Sequence, residues 1–155
     1  MVDPPAWAPW SRRAVALIVD ILILFPVVLL LRFAGLSTAL VGLAQGVLII
    51  IYAGLLQSRS ARNGQTLGQQ WLGVRVTRDN GRPLSFPVAA LRQLLVTPPL
   101  AVLGYSVFRV VETVWLVNYL WPLWDSENRA LHDIAVRTHV FRVGAPTRDD
   151  PAQNV

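Results

Sequence analysis

The chain has no cysteine and no lysine, only two histidines, and few charges: 15% of its 155 residues are Asp, Glu, Lys or Arg. Without cysteine there is no disulfide framework, no thiolate nucleophile and no cysteine-ligated metal. Two histidines also argue against a histidine-based metal site. All fourteen basic residues are arginine, which suits phosphate headgroups and bidentate ion pairs better than lysine does. The net charge of +5 invites a nucleic-acid reading. The arginines, however, are scattered between apolar runs, and positive flanks beside membrane spans explain them more simply. No nucleophile–base pair, metal cluster or cofactor loop is visible, so the chain reads as a non-enzyme without cofactor.

What the chain does have is apolar length. It is 54% hydrophobic, and from Ala14 to Leu31 it reads AVALIVDILILFPVVLLL, eighteen residues with one charge, Asp20. At a rise of about 1.5 Å per residue this just covers the roughly 30 Å hydrocarbon layer. A carboxylate at the centre of that layer costs about 2.5–3.5 kcal/mol on insertion scales, and less nearer the interface. Such a group calls for a partner, a water-lined cavity or a function. Arg13 lies seven residues earlier on nearly the same helix face, about 10 Å away along the axis. That is too far for direct contact, so a third group, a water or another helix has to stand between them. Ser11-Arg12-Arg13 resembles the start of a twin-arginine export signal. The length of the run, Asp20 within it and a second apolar run soon after all favour a retained membrane helix.

The first span is expected from Arg13 to Phe33, with Pro26 able to kink it. A link over Ala34–Thr38 leads to a second span, about Ala39 to Leu56, whose Gly42, Ala44, Gly46, Ala53 and Gly54 permit close helix packing. Ahead of both, Trp7 and Trp10 in a Pro-rich leader suit the headgroup region. Arg59, Arg62, Arg75, Arg78, Arg82 and Arg92 follow the second span, so the N-terminus and residues 57–92 are expected to face the cytoplasm.

That basic segment reads as folded. Residues 71–77 alternate like a half-exposed strand, Asp79-Asn80-Gly81-Arg82-Pro83 supplies a turn, and 83–86 offers a short return strand. A hairpin alone is marginal, and residues 135–143 are the natural third strand. Between them, Val88 to Trp124 is apolar but punctuated by Arg92, Pro98-Pro99, Arg109 and Glu112. It is too long for one crossing. Either an interfacial helix near Phe86–Val96 precedes one span, giving three crossings, or two short spans give four. Arginines after this stretch, and pairing of the last strand with the hairpin, both require an even number and favour four. The tail over 144–155 reads as disordered.

The remaining polar groups divide between ordering and function. Arg13 and Asp20 fit an ion-pair network that orders helices, or a protonatable or cation-binding carboxylate at Asp20. Arg109 and Glu112, spaced i,i+3, fit mutual neutralisation. Trp115, Trp121 and Trp124 fit an aromatic belt. Asn63-Gly64-Gln65-Thr66-Leu67-Gly68 lacks a Walker lysine and reads as a turn rather than a phosphate loop. His132-Asp133 reads as a tight polar corner, with a proton relay as the functional alternative.

Together, Arg12/Arg13, Asp20, Asn63-Gly64-x-Thr66-Leu67-Gly68, Leu72-Gly73-Val74-Arg75-Val76 and Leu131-His132-Asp133-x-Ala135-x-x-Thr138-x-Val140 resemble the RDD family of membrane proteins over about residues 10–143. The family is named for one arginine and two aspartates. The resemblance places these on Arg13 (or Arg12), Asp20 and Asp133. One departure is Gln69, where relatives often carry lysine. The resemblance implies a transport-related role, with cation–proton antiport proposed for some members. The expectation is an all-α membrane protein of three to four spans, four preferred, with a small cytoplasmic antiparallel β cap built from 57–86 and 126–143. It is placed in the inner membrane with a cytoplasmic N-terminus, as a homo-oligomer or with a membrane-protein partner. Arg13, Asp20 and Asp133 are the pathway candidates, with Arg12, Arg109, Glu112 and His132 behind them. The alternative is a non-transporting subunit or scaffold that binds a partner protein.

Overall fold

The computed structural model of the protein describes residues 7–58, 64–96 and 113–143. Helix α1 (Trp10–Phe33) begins directly after Pro9 and continues through Pro26. It ends in a Schellman turn. Gly35 adopts φ +78°, its N–H reaches the Arg32 carbonyl at 3.0 Å, and the Leu36 N–H reaches the Leu31 carbonyl at 3.3 Å. Ser37 then caps α2 (Thr38–Gln57) by accepting the Leu40 N–H at 3.4 Å. Both helices are long and apolar enough to cross a membrane, with mean hydropathy of 3.0 and 2.2 over their most apolar windows. Only 6% and 17% of those windows are buried within the chain, so their apolar side chains face outward. Helices apolar on nearly all sides belong in lipid.

The polar remainder gathers at the end of the hairpin where α1 begins and α2 ends. Helix α3 (Leu67–Trp71) is opened by a Thr66/Gln69 capping box. Strand β1 (Val74–Arg78) pairs antiparallel with β2 (Thr138–Arg142), Val76 opposite Val140. This is the pairing expected between 71–77 and 135–143. Backbone bonds cover both outer edges: Ala8 N–H to the Val140 carbonyl, and Val76 N–H to the Gly64 carbonyl, each 2.8 Å. Val74, Val76, Val140, Ala8, Leu84 and Ala89 form the small core of this cap.

Two local expectations are corrected. The strand begins at Val74, not at 71, because α3 occupies 67–71. The return strand over 83–86 does not form, so the sheet has two strands among the described residues rather than three. Asn80-Gly81 still turns the chain, with Gly81 at φ +73°, but Pro83 removes one backbone donor from any ladder and Phe86 is already helical. Leu84 bridges in parallel to Ser58 instead, and Phe86 opens α4 (Phe86–Val96). This helix lies across the cap-side end of α2, with Phe86 against Gly54 and Arg92 against Gln57. Its bounds are those expected for a helix near Phe86–Val96. Helix α5 is described over 113–120 and runs into a 3-10 turn, Trp121–Leu123. Helix α6 (Leu131–Ala135) then leads into β2. Arg109 and Glu112, and the tail over 144–155, lie outside the described residues.

Candidate functional site

Asp133, in the first turn of α6, is fully buried. Arg92, from α4, approaches its Oδ1 with Nε at 2.9 Å and Nη2 at 2.7 Å. Arg13, from α1, donates Nη2 to Asp133 Oδ2 and Nη1 to the Asn128 carbonyl. The Ala130 N–H adds a bond to Oδ2 at 3.1 Å, so the same carboxylate caps α6. Burial works to raise the Asp133 pKa. The field of Arg92, with that of Arg13 behind it, outweighs burial and holds the carboxyl well below the usual carboxylate range. Two guanidiniums on one carboxylate leave the cluster with a surplus positive charge.

His132 lies beside this cluster. Its Nε2 is 3.3 Å from Asp133 Oδ1 and its Nδ1 is 2.9 Å from Asn118 Oδ1. Two oxygen neighbours and the Asp133 charge favour an imidazolium. Burial is the larger effect and, with Arg92 and Arg13 nearby, pushes the pKa down to about 3, so the ring is neutral at pH 7.

Asp20 belongs to a second constellation. Tyr52, from α2, donates its hydroxyl to Oδ1 at 2.6 Å, the Gly68 N–H reaches Oδ1 at 2.8 Å, and the Thr66 hydroxyl reaches Oδ2 at 2.5 Å. Among the described residues no cation pairs with Asp20. Its donors explain the glycine-containing motif. A Cβ on Gly68 would lie 2.2 Å from the Ala16 carbonyl oxygen and 2.9 Å from Asp20 Oδ1, so only glycine lets α3 lie this close to α1. Gly64, at φ +85°, similarly faces the Val76 carbonyl, where a Cβ would come within 2.2 Å.

A chain of hydrogen bonds joins the two carboxylates. Thr66, bonded to Asp20, donates its N–H to Gln69 Oε1 at 2.9 Å, and Gln57 Nε2 donates to the same oxygen at 3.1 Å. Arg92 Nη1 then donates to Gln57 Oε1 at 3.4 Å and leads to Asp133 and Arg13. The third group that the Arg13–Asp20 spacing calls for is this relay. Of the remaining candidates, Arg12 is exposed and bonds the Leu72 carbonyl at 3.1 Å. Arg92, Gln57 and Tyr52 were not singled out by the sequence reading. Arg92 carried a usable signal, as the one charge in the helical run FPVAALRQLLV.

Both constellations face a cleft of about 440 Å³ between α1, α2 and α5, walled by Leu24, Phe25, Val28, Ile49 and Leu116. Asp20 is not central along the hairpin. Beyond it α1 has thirteen residues, and beyond Tyr52 toward the same tip α2 has fourteen, each about 20 Å of helix. The carboxylate therefore lies toward the cap-side edge of an apolar layer about 30 Å thick. Among the described residues no group of three or more His, Cys, Asp or Glu is placed to hold a metal ion.

An apolar helical hairpin with a polar cap closed over buried charge defines a membrane protein. The RDD family model matches residues 7–137, and the chain belongs to the RDD family. Neither a curated protein nor a solved structure matches it.

Proposed function

We propose that the protein is transport-related and binds a cation or proton, exchanging one for the other, with Asp20 as the charge-carrying group. The observation that carries this reading is a carboxylate on the wall of a membrane-level cleft with no cationic partner among the described residues. Its three donors are neutral, so a proton or cation can come and go without breaking an ion pair. The proposed setting is the inner membrane with a cytoplasmic cap and N-terminus, in keeping with the arginines of the cap. The meeting of Arg13, Gln57 and Asp133 in one cluster supports an even number of crossings. A pathway bounded by so few helices favours an oligomer or a membrane-protein partner.

One observation favours a second reading, a non-transporting scaffold. The donors of Asp20 also pin Thr66 and α3 against α1, which is reason enough for a carboxylate there. Asp20→Asn separates the two. The amide keeps an oxygen for Tyr52 and Gly68, and the Thr66 hydroxyl can turn to accept from its NH2 group, so the variant should fold. In liposomes beside wild type, normal folded yield with lost cation-driven proton movement supports exchange. Wild type that moves neither protons nor cations under any gradient removes the transport reading and leaves the scaffold.

A further inference from the structure

We propose that the cleft takes a lipophilic organic cation, a ligand with a hydrophobic body and one cationic head; this rests on the reading of Asp20 as the binding carboxylate. The order of groups along the cleft decides the class. From the hairpin tip toward the cap, the α1 wall runs from Val28, Phe25 and Leu24 to Asp20 and then Arg13. The α2 wall runs from Gln45, one neutral amide in an otherwise apolar zone, through Ile49 to Tyr52 and then Gln57, where Arg92 attaches. An apolar zone is thus followed by a negative group, and that by a cluster with surplus positive charge. The complementary ligand places its apolar body first and its cation next. A phospholipid with an ethanolamine or choline head has the reverse order: phosphate follows the tails and the ammonium lies outermost. Its phosphate would meet Asp20 and its ammonium Arg13, and like charges in such a setting are strongly unfavourable.

A small inorganic cation fits the chemistry less well. Hard cations such as Ca²⁺ and Mg²⁺ are held by shells of about six or more oxygens. The hydroxyls nearest Asp20 already donate to it, and they accept from backbone: Tyr52 from the Leu67 N–H at 3.1 Å, Thr66 from the Gln69 N–H at 3.3 Å. An ammonium or phosphonium needs no oxygen shell. It needs one anion and aromatic surface, and Phe25, Tyr52, Trp115 and Tyr119 line the cleft. A volume of about 440 Å³ lies within the range of small-molecule sites.

The test pairs two probes of one shape and opposite charge, tetraphenylphosphonium and tetraphenylborate, offered to the purified full chain in detergent and scored against empty micelles. The expected result is saturable phosphonium binding that Na⁺ and K⁺ do not displace, with no saturable binding of the borate. Asp20→Asn should weaken the phosphonium by about tenfold or more. Leu24→Trp, which fills the apolar wall and leaves the carboxylate in place, should do likewise, and it carries the test alone if Asp20→Asn fails to fold. Equal binding of both probes, or phosphonium binding that neither folded variant weakens, overturns the proposal. Wild type that exchanges alkali cations for protons in liposomes but binds no phosphonium overturns this inference and leaves the exchange reading standing. Loss of both activities overturns both.

Discussion

Arg13 and Asp133 form an ion pair across 120 residues of sequence, while Asp20, on the same helix as Arg13, takes no cation among the described residues. The pair is one half of a shared arrangement, since Arg92 holds the other oxygen of Asp133 and both guanidiniums are largely shielded from solvent. Asp133→Asn would leave two cations without their anion. The expected loss is about 3–5 kcal/mol, enough to collapse the folded yield of a marginally stable protein. Arg92→Gln added to Asp133→Asn removes one stranded charge and should recover part of that loss. Folded yield by gel filtration and a thermal melt read both. A double variant no more stable than Asp133→Asn would contradict the shared-charge account.

The same cluster sets a pH dependence. The folded pKa of His132 is depressed to about 3 against an ordinary value of 6.5. Between those values the unfolded chain binds the extra proton and the folded chain does not, so stability falls as pH falls through that window. The slope expected from this one group is about 1.4 kcal/mol per pH unit. Asp133 is also depressed, and its contribution is present above the ordinary carboxylate pKa and lost as pH drops below it, which steepens the loss under about pH 4. Denaturation midpoints from pH 7 down to 4 should therefore decline in wild type and flatten in His132→Asn. A flat wild-type profile would mean that His132 is charged in the folded protein.

Gly68 and Gly35 make a matched pair for testing how α3 is seated. Gly68→Ala places a methyl 2.2 Å from the Ala16 carbonyl oxygen, so α3 must move off α1 and its bond to Asp20 must stretch. The expected cost is about 1–3 kcal/mol. Gly35→Ala meets nothing within 4 Å and carries only the strain of φ +78°, about 1–2 kcal/mol. Stability alone will not separate them, but proteolysis will. Gly68→Ala should expose the 64–73 segment to cleavage, and Gly35→Ala should leave it protected. Equal protection in both would show that α3 does not depend on this close approach.

Much of this architecture is legible in the sequence because it is local or periodic. The two apolar runs give α1 and α2, Gly35 and Ser37 mark the turn between them, and alternation around Val74 and Val140 gives the paired strands. Residues 63–68 read as a turn, whereas Thr66 and Gln69 form a capping box that opens α3, and the alternation read from Trp71 overlaps that helix at its last residue. The partner of Arg13 was hidden for a geometric reason. Helical side chains lean toward the N-terminus, so Arg13 reaches into the cap, away from Asp20 and toward Asp133. Arg92 was hidden because its partner is 41 residues away, a relation that no helix or strand period encodes.

The last prediction concerns the side of the membrane on which the cap lies. Ser58 bridges to Leu84, and Arg13 bonds the Asn128 carbonyl two residues from Ser126, so both serines belong to the cap that also holds the start of α1. Whatever path the chain takes over 97–112, it should return to this side before 126, which requires an even number of crossings between Ser58 and Ser126. Ser58 itself is buried, so Ser85, exposed and next to its bridge partner Leu84, stands in for it. The protein has no cysteine of its own, and Ser85→Cys and Ser126→Cys report without background. In intact cells both should resist an impermeant thiol reagent, and both should react once the membrane is opened. Labelling of both in intact cells would invert the orientation and leave the even count in place. Labelling at 126 but not at 85 would put the two halves of the cap on opposite sides of the bilayer, and the Arg13–Asp133 pair could not then form.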